Sequence, residues 1–196
     1  MNTSQENVHP VMAECAAEAA RVARGVRTEQ LSGPSHCTGW DLRTLVNHWV
    51  LYTSYGLEHR ALREPLPEVL TGRDFTAGPG WAEDYAEQLQ RAVIAWEKPE
   101  VWKGEIDLGG GTMPADDIAT MIVKEMAVHG WDVAVATGQR YEISAEAARL
   151  ILQVVEKHGA LYRQYDGFAD PVPVREDATV FERALALSGR NPELAH

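Results

Sequence analysis

Apolar residues return every three or four positions along five long stretches of this chain, separated by segments rich in glycine, proline and small polar residues. From Pro10 the series Val11, Met12, Cys15, Ala19, Val22, Ala23 and Val26 predicts a first helix, with Pro10 in the opening turn where its missing N–H is harmless. Gln30–Gly39 reads as a loop. A second helix comes next, with Leu42, Leu45, His48, Trp49, Tyr52, Tyr55 and Gly56 on one face. Glu64–Gly80 holds three prolines and three glycines and reads as a long irregular crossing. The third helix spans about Trp81–Trp96, with Tyr85, Leu89, Ala92 and Val93 inward.

Val101–Gly111 reads as a short extended excursion ending in three glycines. These lack the following Lys-Ser/Thr of a phosphate loop and are read as a turn. The fourth helix runs from about Pro114 to Ala136 and stops at Thr137-Gly138. Ser144 caps a fifth, with Ala147, Leu150, Ile151, Val154, Val155, His158, Leu161, Tyr162 and Tyr165 in its stripe. After Asp166 the chain turns extended through Pro171–Val174, and a last short helix occupies about Ala178–Leu187. Long amphipathic helices without an alternating strand series imply an all-α bundle. We read one domain over residues 1–196, with a bundle core at about 8–165, a long crossing loop and a short C-terminal extension at 166–196.

The fourth helix breaks its own pattern. Its stripe is Ile118, Met121, Ile122, Glu125, Val128, His129, Asp132 and Ala136, so three ionisable residues stand on a face that should look into a core. Glu125 and His129 lie about 40° apart around the axis and roughly 6 Å along it, side by side on successive turns. A carboxylate in a core needs a hydrogen bond, a counter-charge or a metal ion. A buried Glu–His hydrogen bond satisfies that need; so does a metal site, for which His48 on the second helix is a third competent donor. Two imidazoles and a carboxylate suit zinc, iron, nickel or manganese, and facing helices of a bundle can supply them. Three protein ligands with one open position are the arrangement of a catalytic zinc site.

Each candidate has a plainer reading. His48 can be a hydrogen-bonded core histidine, and His158 is a rival ligand beside Gly159 near a helix end. His36 and His59 read as loop or surface residues, His9 and His196 as terminal ones. Asp132 lies too far along the helix to share a cation with Glu125. It either accepts the second ring N–H of a ligand histidine or bonds a neighbouring helix. Trp40, Trp49 and Trp131 either line a pocket or belong to the core. Cys37 is read as a buried structural thiol rather than a ligand or nucleophile.

Composition narrows the function classes. The chain has 196 residues, 45% apolar and 24% charged, enough for one sizeable core. Eighteen basic against 29 acidic residues give a net charge of −11 with no basic block, which argues against a nucleic-acid or anionic-membrane surface. Thr44–Leu57 is too short and too polar to span a bilayer. The amino terminus lacks the basic and apolar regions of a signal peptide. Two cysteines make no disulfide framework, which fits a reducing cytoplasm.

Three segments carry a family resemblance. Cys37-Thr-Gly-Trp40-Asp-Leu-Arg-Thr-Leu45-Val-Asn-His48 resembles the second-helix signature of the mycothiol-dependent maleylpyruvate isomerase N-terminal domain family, a member of the DinB-like superfamily of four-helix bundles. Glu125-x-x-x-His129-Gly-Trp131-Asp132-x-Ala134-x-Ala136-Thr-Gly138 resembles its fourth-helix signature. The ending Ala186-Leu-Ser-Gly189-Arg190-Asn-Pro192 is similar to that of an actinobacterial, metal-binding branch of the family. The resemblance implies a divalent metal, zinc or else nickel or another ion, held by His48, Glu125 and His129. It also implies a small thiol such as mycothiol at the open position, a small electrophile as second substrate, and S-transferase or isomerase chemistry. A non-catalytic module binding metal or a small ligand is the alternative. Relatives often pair, which makes a homodimer an expectation. The isomerase has a further C-terminal domain contributing to its active site, whereas about thirty residues come after the fifth helix here. The resemblance therefore does not carry maleylpyruvate over as substrate. Arg175 and Arg190 of the tail are candidates for binding substrate charge.

Overall fold

A computed structural model of the chain describes residues 3–165 and 167–195; the expectations placed on Asp166 and His196 lie outside them. Two compact units divide the chain, Met1–Tyr141 and Glu142–His196.

In the first unit four helical rods close a ring. The first is α1, Thr3–Arg24; the second joins α2, Leu42–Val50, through a π-helical segment, Leu51–Gly56, to α3, Leu57–Leu62. A short α4, Glu68–Thr71, lies in the crossing, and the remaining rods are α5, Trp81–Ala95, and α6, Ala115–Ala136. α1 packs between α5 and α6, and the α2–α3 rod packs on the same two helices from the other side. Met12, Cys15, Ala19, Val22, Leu45, Trp49, Leu89, Met126 and Ala127 fill the interior. Burying one large apolar side chain contributes about 1.5–3 kcal/mol, so this interior drives the closure of the ring.

Three local features depart from the sequence expectation. α1 starts at Thr3, so Pro10 sits inside the helix, where its exposed ring meets solvent, and His9 is no terminal residue: its Nε2 lies 3.0 Å from the Val93 carbonyl. The second rod is not uniformly α-helical. Within its π segment Thr53 and Ser54 are buried while Tyr52, expected inward, is 44% exposed. The hydroxyls of Thr53 and Ser54 donate to the Trp49 and Val50 carbonyls at 2.7 and 2.6 Å, giving those groups partners where the regular ladder is interrupted. Third, α6 is buried almost all round at mid-length: Val123, Lys124, Met126, Ala127, Gly130, Val133 and Ala134 join Ile118, Val128 and Asp132 inside. A helix with packed neighbours on two sides has no narrow apolar stripe.

Val101–Gly111 and the residues after it form a small hairpin, β1 Glu105–Asp107 against β2 Thr112–Pro114, turned by the three glycines. Gly109 takes φ 82°, a left-handed conformation open to glycine at little cost. α6 ends as expected, with Gly138 at φ 71°.

The second unit packs α7, Ala145–Gln164, against α8, Val180–Leu187. Ser144 Oγ caps α7 by accepting from the Ala147 N–H, and Thr179 with Glu182 closes a capping box on α8. Leu161 and Tyr165, expected in the α7 stripe, are exposed.

Candidate metal centre on α2 and α6

Asp41 starts the helix that carries His48: its carboxylate accepts from the Thr44 backbone N–H at 2.8 Å and the Thr44 hydroxyl at 2.6 Å. Beside His48 the crossing loop is pinned to α2. Asp74 accepts from Arg43 and Asn47 at 3.1 Å each, and Asn47 Oδ1 accepts the Phe75 N–H at 2.7 Å. From α2, Trp49 supports the facing turn of α6 by donating its indole N–H to the Met126 carbonyl at 3.0 Å.

These supports bring the three sequence-predicted donors together. His129 Nε2 lies 3.1 Å and His48 Nε2 3.9 Å from Glu125 Oε2, and one donor atom from each residue falls within 4.8 Å of the other two. Donors about 2.0–2.2 Å from a tetrahedral zinc ion are roughly 3.3–3.6 Å from one another, so the set fits such an ion with small side-chain shifts. The side chains of His48, Glu125 and His129 are 29, 22 and 12% exposed, leaving an approach for a further ligand from solvent. Two rings flank His48, Trp40 at 4.9 Å and Tyr52 at 4.7 Å between centroids. Trp40 is thus at the site, whereas Trp49 and Trp131 are core.

His129 Nδ1 faces Asp132 Oδ2 at 3.0 Å, and Asp132 is fully buried. One imidazole therefore stands between two carboxylates. Burial opposes a charge on His129, yet its contacts with Asp132, Cys37 and Glu125 outweigh this and raise its pKa well above the ordinary 6.5. Burial likewise disfavours the Glu125 carboxylate. The Lys124 charge and the two histidines prevail and hold its pKa well below the ordinary 4.5. Both shifts favour the charged pair, a His129 imidazolium beside the Glu125 carboxylate.

Two residues here escaped the sequence reading. Lys124, only 1% exposed, pairs its ammonium with Glu125 Oε1. Cys37, read as a structural thiol, has its Sγ 3.5 Å from Asp132 Oδ2 and 4.0 Å from His129 Nδ1. The signal for Cys37 was its place eleven residues before His48, in the turn that leads the chain into α2. Lys124 offered only its position beside Glu125. The remaining histidines stand apart: His36 is exposed in its loop, His59 faces Glu64 at 3.8 Å, and His158 lies on α7 in the second unit. In the tail, Arg175 pairs with Asp177 and Glu182, and Arg190 lies over the Phe168 ring.

Comparison with known proteins agrees with this architecture. Two crystal structures of a mycothiol-dependent maleylpyruvate isomerase, one of them a histidine-to-alanine variant, share the fold. The variant gives a TM-score of 0.60 at 18% identity and the other a TM-score of 0.56 at 17%. Each comparison covers 78% of this chain and 71% of the isomerase. Uncharacterized proteins from two strains of Mycobacterium tuberculosis are each 25% identical over 189 residues, 92% of this chain and 97% of theirs. The fold is thus the helical bundle of that isomerase. The model of the Mycothiol maleylpyruvate isomerase N-terminal domain matches residues 12–134, more than half of the chain and at least part of each rod of the ring, so the protein belongs to that family.

Proposed function

We propose that the protein binds a divalent metal ion through His48, Glu125 and His129 and uses it in thiol chemistry on a small electrophile, as an S-transferase or isomerase of the mycothiol-dependent kind. The observation that carries this reading is the convergence of two imidazoles and a carboxylate, from two rods of the bundle, within 4.8 Å of one another at a partly exposed spot. A bound divalent ion supplies Lewis acidity, which lowers the pKa of a thiol and presents its thiolate at neutral pH.

The surrounding residues prepare the site. Asp132 accepts the Nδ1–H of His129, fixing the ring so that Nε2 faces Glu125. Lys124 keeps the Glu125 carboxylate ionised. Trp40 and Tyr52 supply an apolar rim on either side of His48, suited to the carbon skeleton of a thiol or of its acceptor. Zinc suits the donor set, and nickel is the next choice. Among the described residues no helix is long and apolar enough to cross a membrane, and two free cysteines fit a reducing compartment such as the cytoplasm.

The test is metal analysis of the purified full chain after exposure to zinc or nickel, beside His48→Ala and His129→Ala. About one ion per chain in the wild type and a large loss in both variants is the expected result. A wild type holding no stoichiometric ion would sink the proposal. Incubation of the loaded protein with mycothiol and a panel of electrophiles, read by mass spectrometry, then separates the enzyme from a binding module. Metal-dependent product supports the enzyme, and tight binding without product supports the module.

A further inference from the structure

The turn before α2 is held by backbone groups and the Ser35 hydroxyl, without the Cys37 side chain. The Cys37 N–H donates to Ser35 Oγ at 3.1 Å and its carbonyl accepts the Trp40 N–H at 3.1 Å, while Ser35 Oγ also donates to the Trp40 carbonyl at 2.8 Å. Gly39 completes the turn at φ 80°. The partly exposed thiol of Cys37 points from this turn onto α6, where its Sγ lies 3.5 Å from Asp132 Oδ2.

Asp132 is the most deeply buried carboxylate of the cluster, and a buried carboxylate is held in one orientation by the donors around it. One of those donors is the His129 Nδ1–H at 3.0 Å. The other nitrogen of the same ring faces Glu125. Thiol, carboxylate and imidazole thus form a chain whose far end is a proposed metal donor. We propose that Cys37 is a positioning residue of the metal centre: its S–H donates to Asp132, and the carboxylate so oriented fixes the His129 ring for coordination through Nε2. The proposal rests on the metal-binding reading above and adds to it a residue outside the ligand set. It also places a chemically modifiable thiol where its state bears on the affinity for the ion.

The experiment uses the full chain as wild type, Cys37→Ala and Cys37→Ser. It reads zinc affinity by competition with a chromophoric chelator, the electronic spectrum with Co2+ in place of zinc, and Tm in excess chelator. Loss of a group that orients a metal ligand weakens binding by about 10–100-fold, and Cys37→Ala, one bond further out, is expected near the tenfold end. Cys37→Ser keeps a donor to Asp132 and is expected within about twofold of wild type, because serine replaces one weak hydrogen bond by a comparable one. Tm in chelator is expected to differ little among the three, which separates positioning from a general structural role.

Wild-type affinity in Cys37→Ala overturns the proposal, as does an equal loss in Cys37→Ser. So does a fall in chelator Tm that parallels the loss of affinity. A sulfur-to-cobalt charge-transfer band present in the wild type and absent from Cys37→Ala overturns it in another way, by making Cys37 a direct ligand. A wild type that binds no ion removes the metal reading itself and this inference with it, a result distinct from binding that is indifferent to Cys37.

Discussion

Replacing Glu125 by glutamine keeps the shape of the side chain and removes its charge, at a cost in stability that differs between the metal-free and the metal-bound protein. In chelator, the variant takes from Lys124 the carboxylate beside it, although that lysine is only 1% exposed. Breaking a buried ion pair from one side costs about 3–5 kcal/mol. Here the Glu125 side chain is 22% exposed and Lys124 keeps a further contact, so we reduce the expected loss to about 2 kcal/mol. For a chain of this length that corresponds to a fall in Tm of about 4–8 °C.

With zinc at a thousand times its Kd, the wild type gains about 4 kcal/mol from binding. A variant that has lost one of three proposed ligands and binds at least about a hundredfold more weakly gains no more than about 1.4 kcal/mol at the same concentration. The gap between the two proteins should therefore widen from about 2 to about 5 kcal/mol on adding zinc. Urea unfolding monitored by circular dichroism, in chelator and in zinc, measures both gaps. A gap that is the same in both conditions refutes the carboxylate as a ligand. A variant as stable as wild type in chelator refutes the Lys124 pairing.

Two further outcomes can be measured by the same unfolding methods. In chelator, the depressed pKa of Glu125 contributes stability above the ordinary 4.5 that is lost as pH falls through the lower folded value. The raised pKa of His129 contributes stability that is complete below 6.5 and lost as pH rises through the higher folded value. Metal-free wild type should therefore lose more stability between about pH 6 and about pH 9 than His129→Gln does, and equal slopes in urea titrations would contradict the imidazolium assignment. Gly130→Ala should lower Tm, because the new Cβ would stand 2.7 Å from Tyr141 Cε2. The overpacking cost of about 1–3 kcal/mol outweighs the helix-propensity gain of about 1 kcal/mol. A rise in Tm would mean that the Tyr141 ring moves aside freely.

The bundle was legible because its helices obey local rules: Ser144 caps α7, Gly138 ends α6, and apolar spacing marks α5 from Trp81. The three donors were legible for a related reason, since a polar residue inside an apolar stripe is visible in the pattern itself. What failed were features that depend on partners distant in sequence. The π segment lies in a stretch whose residues read as ordinary helix, and its consequence, the burial of Thr53 and Ser54 in place of Tyr52, depends on hydroxyl-to-carbonyl bonds that periodicity does not encode. Lys124 lies off the α6 stripe, where a lysine is read as solvated. It is buried because α6 is packed on two sides. Cys37 meets Asp132 across 95 residues, so no local spacing announces the pair.

The two residues that the pattern missed bear on the chemistry more than the pattern did. Counted formally as two carboxylates, an ammonium and an imidazolium, Glu125, Asp132, Lys124 and His129 sum to zero charge without a cation. On the proposed reading, His129 would give up its Nε2 proton to hold a divalent ion, and the same formal count would then leave the cluster with a single positive charge. Without Lys124 that exchange would leave it neutral, and a neutral water would complete the site as well as an anion. With Lys124 in place and little solvent to screen it, the open position favours an anionic ligand. A thiolate is one such anion, so on the proposed reading the buried lysine, silent in the sequence, supports the thiol chemistry that the metal centre is proposed to carry.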